Sequence, residues 1–162
     1  MNRIRSIIID DEKNSREVLK GLLDNFFPEL DIVAEANNVD TAFEMIKIYQ
    51  PDLIFLDIQM PKADGFSLLK RFDHIPFEII FVTSYDHYAI NAIKFSALDY
   101  LLKPVDISDL KNAIDRAINI IQHKDYRTLQ VVNLIQDLDN EVLNKSITIH
   151  HQNKVKFIKT ND

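Results

Sequence analysis

The chain has 162 residues, of which 46% are hydrophobic and 27% are charged, and its formal net charge is −6. This balance is typical of one soluble globular domain with an appended segment, and no apolar run approaches the ~20 residues of a membrane span. The chain contains no cysteine, which excludes disulfides and thiolate metal sites, and its acidic charge argues against nucleic-acid binding by its main body. Nothing at the start resembles a signal peptide, so we expect a cytoplasmic protein with no membrane partner.

Five short apolar runs alternate with segments of helical spacing in the first three quarters of the chain. The runs lie at 7–9, 32–34, 53–56, 79–82 and 98–102. Continuous hydrophobicity is typical of strands that are buried on both faces of a parallel sheet. Between the runs, the third predicted helix reaches Phe72, and the fourth is marked by Ile90 and Ile93. The pattern predicts an α/β, flavodoxin-like doubly wound fold, with five parallel strands in the order 2-1-3-4-5 and helices on both faces.

The end of the chain has a different pattern. Residues 124–145 keep apolar residues at helical spacing and are predicted to form a helical linker, whereas 147–149 and 155–158 are typical of two short strands. A lone hairpin is marginally stable in water, so this segment either packs on the main body or opens a domain that the chain does not complete. The predicted divisions are 1–123, 124–145 and 146–162.

Polar side chains follow four of the five predicted strands. Asp10 and Asp11 follow the first strand, Asp57 the third, Thr83 the fourth and Lys103 the fifth. The carboxyl ends of parallel strands meet at one edge of the sheet, so we expect three carboxylates, a hydroxyl and an ammonium group in one cleft. Taken singly, each residue is better explained as a helix cap, a loop residue or a solvated strand end. The combination favours a functional site.

The predicted cleft has the chemistry of a phosphoryl acceptor. Three crowded carboxylates repel one another, and a hard cation bound by oxygen ligands, Mg²⁺ or alternatively Mn²⁺, removes that repulsion. Asp57 can then act as the nucleophile, while Lys103 pairs with one phosphoryl oxygen and the hydroxyl of Thr83 donates to another. Only Gly21 and Gly65 are present, so a glycine-rich nucleotide loop cannot be built.

Four stretches around these residues form a recognisable set: Ile8-Ile9-Asp10-Asp11-Glu12, Leu56-Asp57-Ile58-Gln59-Met60-Pro61 with Asp64-Gly65, Val82-Thr83-Ser84, and Asp99-Tyr100-Leu101-Leu102-Lys103-Pro104. Through these stretches, the first 123 residues resemble a CheY-like receiver domain of two-component response regulators. The resemblance implies that a sensor histidine kinase donates a phosphoryl group to Asp57. It implies a metal held by Asp11, Asp57 and the main-chain carbonyl of Gln59, with Asp10 acting through a water. A cis peptide bond before Pro104 is implied as well.

The same resemblance implies a conformational switch and two positions that tune its kinetics. Thr83 and Tyr100 are the coupled switch: the threonine hydroxyl moves toward the phosphoryl group, and the aromatic ring swings inward into the space that it leaves. Gln59 and Tyr85 flank the path of an attacking water. We hypothesise that bulky Tyr85 slows self-hydrolysis; the alternative is a surface aromatic with no kinetic role.

Two stretches, 85–93 and 97–105, narrow the resemblance to receivers joined to a LytTR-type DNA-binding domain. Residues 146–162 are similar to the first strands of that domain. The resemblance implies transcription regulation, with DNA bound only through output residues that this chain lacks. It also implies a homodimer, on phosphorylation, through the fourth helix, fifth strand and fifth helix. The alternative is a complete protein in which the hairpin is an accessory element and not the start of another domain.

Two other classes of function stay open from the residues alone. A phosphohydrolase of the haloacid-dehalogenase type also uses an aspartyl nucleophile, but it needs a second Asp two residues later, where this chain has Gln59. A phosphate-blind interaction module of the same fold would take up no phosphoryl group at Asp57. We expect no enzyme activity beyond self-phosphorylation and slow self-dephosphorylation.

Overall fold

The computed structural model describes residues 2–144, apart from the side chains of 125–129 and 139–144. In this part of the chain, strands and helices alternate: β1 (Ile4–Ile9), α1 (Lys13–Phe26), β2 (Leu30–Ala36), α2 (Val39–Tyr49), β3 (Leu53–Leu56), α3 (Gly65–Leu69), β4 (Glu78–Thr83), α4 (Ala89–Lys94), β5 (Asp99–Leu102) and α5 (Ile107–Asn144). All neighbouring strands pair in parallel, in the order β2-β1-β3-β4-β5. The predicted flavodoxin-like doubly wound fold is confirmed.

Two apolar cores lie on opposite faces of the sheet. Successive side chains of a strand point to opposite faces. In β4, Ile79 and Phe81 pack in the core that also contains residues of α2 and α3, whereas Ile80 and Val82 pack in the core formed with α1 and α5. The central strands β1, β3 and β4 are almost wholly buried. This explains why their sequences are apolar without alternation.

Two helices differ from the prediction. The third ends at Leu69, and Phe72 lies beyond it, where its ring packs 5.0 Å from the Phe43 ring. Phe72 therefore packs against the core without belonging to the helix. In α4, Ile90 and Ile93 are each 72% exposed, and Ala92 is the residue that packs inward. The apolar residues at helical spacing correctly predicted that a helix forms here. They did not predict which face of the helix is buried.

The predicted linker is part of a single long helix in the described residues. Helix α5 has 38 residues and continues without a break to Asn144. The chain divides into two compact units, Met1–Ile121 and Gln122–Asp162, so the first part of α5 belongs to one unit and its end to the other. The predicted strands at 147–149 and 155–158 lie outside the described residues. Among residues 2–144, no helix has an apolar stretch long enough to cross a bilayer.

Candidate phosphoacceptor site

Backbone hydrogen bonds beyond the strands hold the loops of the site in place. The main-chain nitrogen of Asp57 donates to the carbonyl of Ile9 at 2.9 Å. The nitrogen of Lys103 donates to the carbonyl of Thr83 at 2.8 Å. These bonds continue the sheet ladders past the carboxyl ends of β3 and β5, onto the last residues of β1 and β4. Residues far apart in sequence are therefore fixed side by side before any side chain contributes.

Lys103 is the centre of the side-chain contacts. Its Nζ lies 2.7 Å from Oδ2 of Asp10 and 3.0 Å from Oδ2 of Asp57. It also donates to the hydroxyl of Ser15 at 3.2 Å. Asp10 and Asp57 are both buried, each 5% exposed. One ammonium group thus partly neutralises two carboxylates that are shielded from water.

Burial and these contacts together determine the pKa values of Asp10 and Lys103. Burial raises the pKa of Asp10 above its ordinary value, because the charged carboxylate loses hydration, although the hydrogen bond from Lys103 acts against the shift. Burial alone would lower the pKa of Lys103, but its hydrogen bonds to Asp10 and Asp57 raise that pKa overall. The lysine is therefore firmly cationic at neutral pH, and the site keeps an anchored positive charge.

The three carboxylates at this edge fit a hard divalent cation. One oxygen each of Asp10, Asp11 and Asp57 can be chosen so that all three lie within 4.8 Å of one another. Asp10 and Asp57 are buried and Asp11 is half-buried. The three carboxylates are therefore largely shielded from solvent but remain accessible on the side of Asp11. Oxygen ligands from a few carboxylates, completed by water, are what Mg²⁺ prefers. The binding role of the Gln59 carbonyl stays a prediction.

The predicted switch residues flank this cluster. Thr83, the last residue of β4, is fully buried, and its hydroxyl accepts from the main-chain nitrogen of Tyr85 at 3.4 Å. Tyr100 is half-buried on the edge strand β5, with its ring 6.1 Å from the ring of Phe81. Its hydroxyl donates to the main-chain carbonyl of Tyr85. The ring is thus tied to the loop that follows Thr83. Tyr85 itself is 41% exposed.

Gly65 allows the loop after β3 to close tightly. Its nitrogen donates to the carbonyl of Ile58 at 2.8 Å. A Cβ added at Gly65 would lie 2.5 Å from the main-chain oxygen of Asp57, closer than real Cβ contacts allow. The peptide bond between Lys103 and Pro104 is cis. The absence of a side chain at Gly65 thus lets the loop lie directly against the main chain of Asp57.

The structure adds three residues that the sequence reasoning did not find. Ser15 contacts Lys103, as described above. Arg16 donates from Nη1 to the main-chain carbonyl of Asp10 at 2.8 Å and pairs with Glu35 through Nε at 3.3 Å, which braces the loop after β1. Tyr88 accepts a hydrogen bond from the side chain of Gln59 at 3.2 Å. Only Tyr88 had a signal in the sequence, as part of the stretch 85–93.

Comparison with known proteins agrees with this geometry. The family model described as "Response regulator receiver domain" matches residues 7–115. This chain belongs to the response regulator receiver family. The matched range contains Asp10, Asp57, Thr83 and Lys103, so the whole charged cluster lies within the receiver.

Several similar proteins support the assignment of the receiver. An uncharacterized response regulatory protein of Vibrio cholerae is 38% identical over 135 residues, which is 82% of this chain and 56% of that protein. The sensory transduction protein LytT of Bacillus subtilis is 37% identical over 115 residues, 70% of this chain and 47% of LytT. The chain thus spans about half the length of these relatives. The receiver domain of AraT from Geobacillus stearothermophilus has a TM-score of 0.69 and 31% identity, covering 75% of this chain and 98% of that one.

Proposed function

We propose that this receiver accepts a phosphoryl group on Asp57 from a sensor histidine kinase and changes conformation in response. The observation that carries the proposal is the contact of Lys103 with Asp57 at 3.0 Å, beside two further carboxylates that could hold a cation. A nucleophilic carboxylate, a fixed cation and metal-binding oxygens are the groups that phosphoryl transfer to an aspartate requires.

The proposed reaction assigns one role to each residue. An oxygen of Asp57 attacks phosphorus, the bond from phosphorus to its donor breaks, and the donor leaves with the electron pair of that bond. Lys103 turns one of its hydrogen bonds from Asp57 to a phosphoryl oxygen, and the hydroxyl of Thr83 donates to another. Asp11 and Asp57, with the Gln59 carbonyl and Asp10 through water, would hold Mg²⁺. When bound, this ion would neutralise charge on the transferring group.

The proposed response runs through Thr83 and Tyr100 to the face formed by α4, β5 and α5. Phosphorylation changes the conformation only if the phosphorylated form has lower free energy in the active state. On this face Ile90 and Ile93 are each 72% exposed and Leu102 is 46% exposed, which supports its use as a homodimer interface. We propose that a LytTR-type DNA-binding segment reads this change to regulate transcription in the cytoplasm. Residues 146–162, which resemble its first strands, are not among those described.

Mass spectrometry after incubation with acetyl phosphate and Mg²⁺ tests the proposed acceptor. The wild-type protein should gain the mass of one phosphoryl group, and Asp57→Asn should gain none. Asp24→Asn is the matched control, because Asp24 is a solvent-exposed partner of Lys20 in α1; it should be phosphorylated like the wild type. Equal uptake by wild type and Asp57→Asn, or no uptake by either, would contradict the proposal.

Further measurements on the same protein samples distinguish the proposed receiver from the two alternative functions. A phosphate-blind interaction module would not bind beryllofluoride at Asp57, whereas the proposed receiver should. A phosphohydrolase would turn over small phosphate esters many times. We expect no such turnover, because the position two residues after the nucleophile is Gln59, whose neutral amide cannot act as a general acid.

A further inference from the structure

A side-chain hydrogen bond connects the loop after β3 to the loop after β4. Nε2 of Gln59 donates to the hydroxyl of Tyr88 at 3.2 Å, across 29 positions of the chain. The main-chain nitrogen of Gln59 donates to Oδ1 of Asp57 at 3.3 Å. Gln59 therefore contacts the proposed acceptor with its backbone and the neighbouring loop with its side chain.

Tyr88 is the fixed partner in this bond, because aromatic neighbours hold its ring. The ring is half-buried, and its centroid lies 4.2 Å from that of His87 and 6.1 Å from that of Phe66. Phe66 is itself buried and packs 5.2 Å from Phe81 in the core. Gln59, in contrast, is exposed, and its long side chain would otherwise sample many rotamers. The hydroxyl of Tyr88 thus supplies an anchored hydrogen-bond partner for a mobile amide.

The loop that carries Tyr88 is also held from its other side. The hydroxyl of Tyr100 donates to the main-chain carbonyl of Tyr85, three residues before Tyr88. The ring of Tyr85 lies 6.3 Å from the ring of Tyr88. The loop after β4 is therefore tied both to β5 and to the loop that carries Gln59.

We propose that Tyr88 is a positioning residue for Gln59: its hydroxyl holds the amide across the gap beside Asp57 and so limits the access of water to the phosphorylated side chain. The inference rests on the proposed phosphorylation of Asp57. In self-hydrolysis a water oxygen attacks phosphorus and the bond to the Asp57 oxygen breaks. The carboxylate leaves with the electron pair, and a proton of the water passes to solvent. A side chain held across the approach slows the first of these events.

The variant Tyr88→Phe tests the positioning role, because it removes one oxygen and keeps the packed ring. After phosphorylation by acetyl phosphate and removal of the donor, its phosphoryl half-life should fall about threefold, within the range expected for loss of one neutral hydrogen bond. The rate of uptake should stay at its wild-type value, and the urea midpoint of unfolding should change by no more than the loss of this one solvent-exposed hydrogen bond allows. Gln59→Ala should shorten the half-life to a similar extent.

The double variant distinguishes positioning from a general structural effect. If Tyr88 acts through Gln59, Tyr88→Phe should have no further effect on half-life in the Gln59→Ala background. Tyr49→Phe is the matched control, since it removes the same atom at the end of α2, on the edge of the sheet where β3 begins, and it should leave the half-life unchanged. An unchanged or longer half-life in Tyr88→Phe, or additive effects in the double variant, would overturn the positioning role while wild-type phosphorylation stands. Absence of wild-type phosphorylation would overturn the proposed function and this inference together.

Discussion

The ammonium nitrogen of Lys103 lies 3.0 Å from Oδ2 of Asp57, although 46 positions of the chain separate the two residues. The same nitrogen lies 2.7 Å from Oδ2 of Asp10. A single cation therefore contacts two buried carboxylates at the same edge of the sheet. Phosphorylation of Asp57 would have to redistribute these contacts, so substitutions in the cluster should change folding stability as well as the proposed chemistry.

Replacement of Lys103 should lower the stability of the folded protein. Lys103→Met leaves Asp10 and Asp57 without their cation, and an unpaired buried charge is strongly destabilising. Because the lysine side chain is 16% exposed, we expect a moderate loss in the free energy of unfolding, about 2 kcal/mol in metal-free buffer at pH 7. Urea unfolding measures it. Lys111→Met is the control: its pair with Asp115 is on the exposed side of α5, and its loss should have little effect. Equal effects of the two variants would contradict the prediction.

Replacement of Asp10 should have the opposite effect. Burial raises the pKa of Asp10, so the folded state holds this proton more tightly than the unfolded state does. As pH rises from acid to neutral, the unfolded chain ionises first and the wild type loses stability. Asp10→Asn removes this loss, so its advantage over the wild type in metal-free urea unfolding should grow toward pH 7. Asp24→Asn, at an exposed position of α1, serves as the surface control. A pH-independent difference for Asp10→Asn would argue against the burial effect.

A methyl group at Gly65 should disturb the acceptor loop through the main chain. The added Cβ would lie 2.5 Å from the carbonyl oxygen of Asp57, so the backbone must shift. Gly65→Ala should lower the free energy of unfolding by about 1–3 kcal/mol and reduce phosphoryl uptake at Asp57. Gly21→Ala provides the contrast: a Cβ added there would meet no neighbouring group within 4 Å, and the position lies inside α1, so this variant should gain up to about 1 kcal/mol. Thermal unfolding and mass spectrometry distinguish the two.

The proposed coupling of Thr83 to Tyr100 can be followed at the tyrosine ring. The hydroxyl of Tyr100 donates to the carbonyl of Tyr85, and an inward swing of the ring would break this bond. Beryllofluoride should therefore change the NMR signal of fluorotyrosine at position 100, assigned with Tyr100→Phe. Thr83→Ala should bind beryllofluoride yet lose most of this change. Ser84→Ala, at the exposed next position, should keep it. A full response in Thr83→Ala would show that the ring moves independently of the hydroxyl.

Shielding by the Tyr85 ring makes a separate kinetic prediction. The ring is 41% exposed and belongs to the loop that follows Thr83. Tyr85→Ala removes it, which should open a path for water and shorten the phosphoryl half-life severalfold, measured by loss of label after donor removal. Phe26→Ala deletes another exposed aromatic ring, in α1, and serves as the control. An unchanged half-life in Tyr85→Ala would make Tyr85 a surface aromatic without a kinetic role.

Much of the fold and the main charged residues could be predicted because their signals are local. The apolar runs of β1, β3 and β4 indicated fully buried strands, and the residues that follow β1, β3 and β5 indicated the cluster of Asp10, Asp57 and Lys103. The features that could not be predicted also have a physical explanation. Phe72 is apolar and packed but lies outside a helix, and Ile93 has helical spacing but is exposed. Hydrophobicity reports that burial is favourable without specifying which neighbour provides it.

The sequence by itself determined the order of strands and helices and the sheet edge at which acids and lysine collect, since both follow from periodicity and chain direction. Tertiary structure alone decided which atoms meet: that Lys103 bonds two carboxylates and Ser15, that Arg16 braces the carbonyl of Asp10, and that Tyr88 holds Gln59. Hydrogen bonds and ion pairs depend on separations of a few tenths of an ångström. Those separations are set by the packing of loops and helices around the whole sheet, which no spacing along the chain encodes.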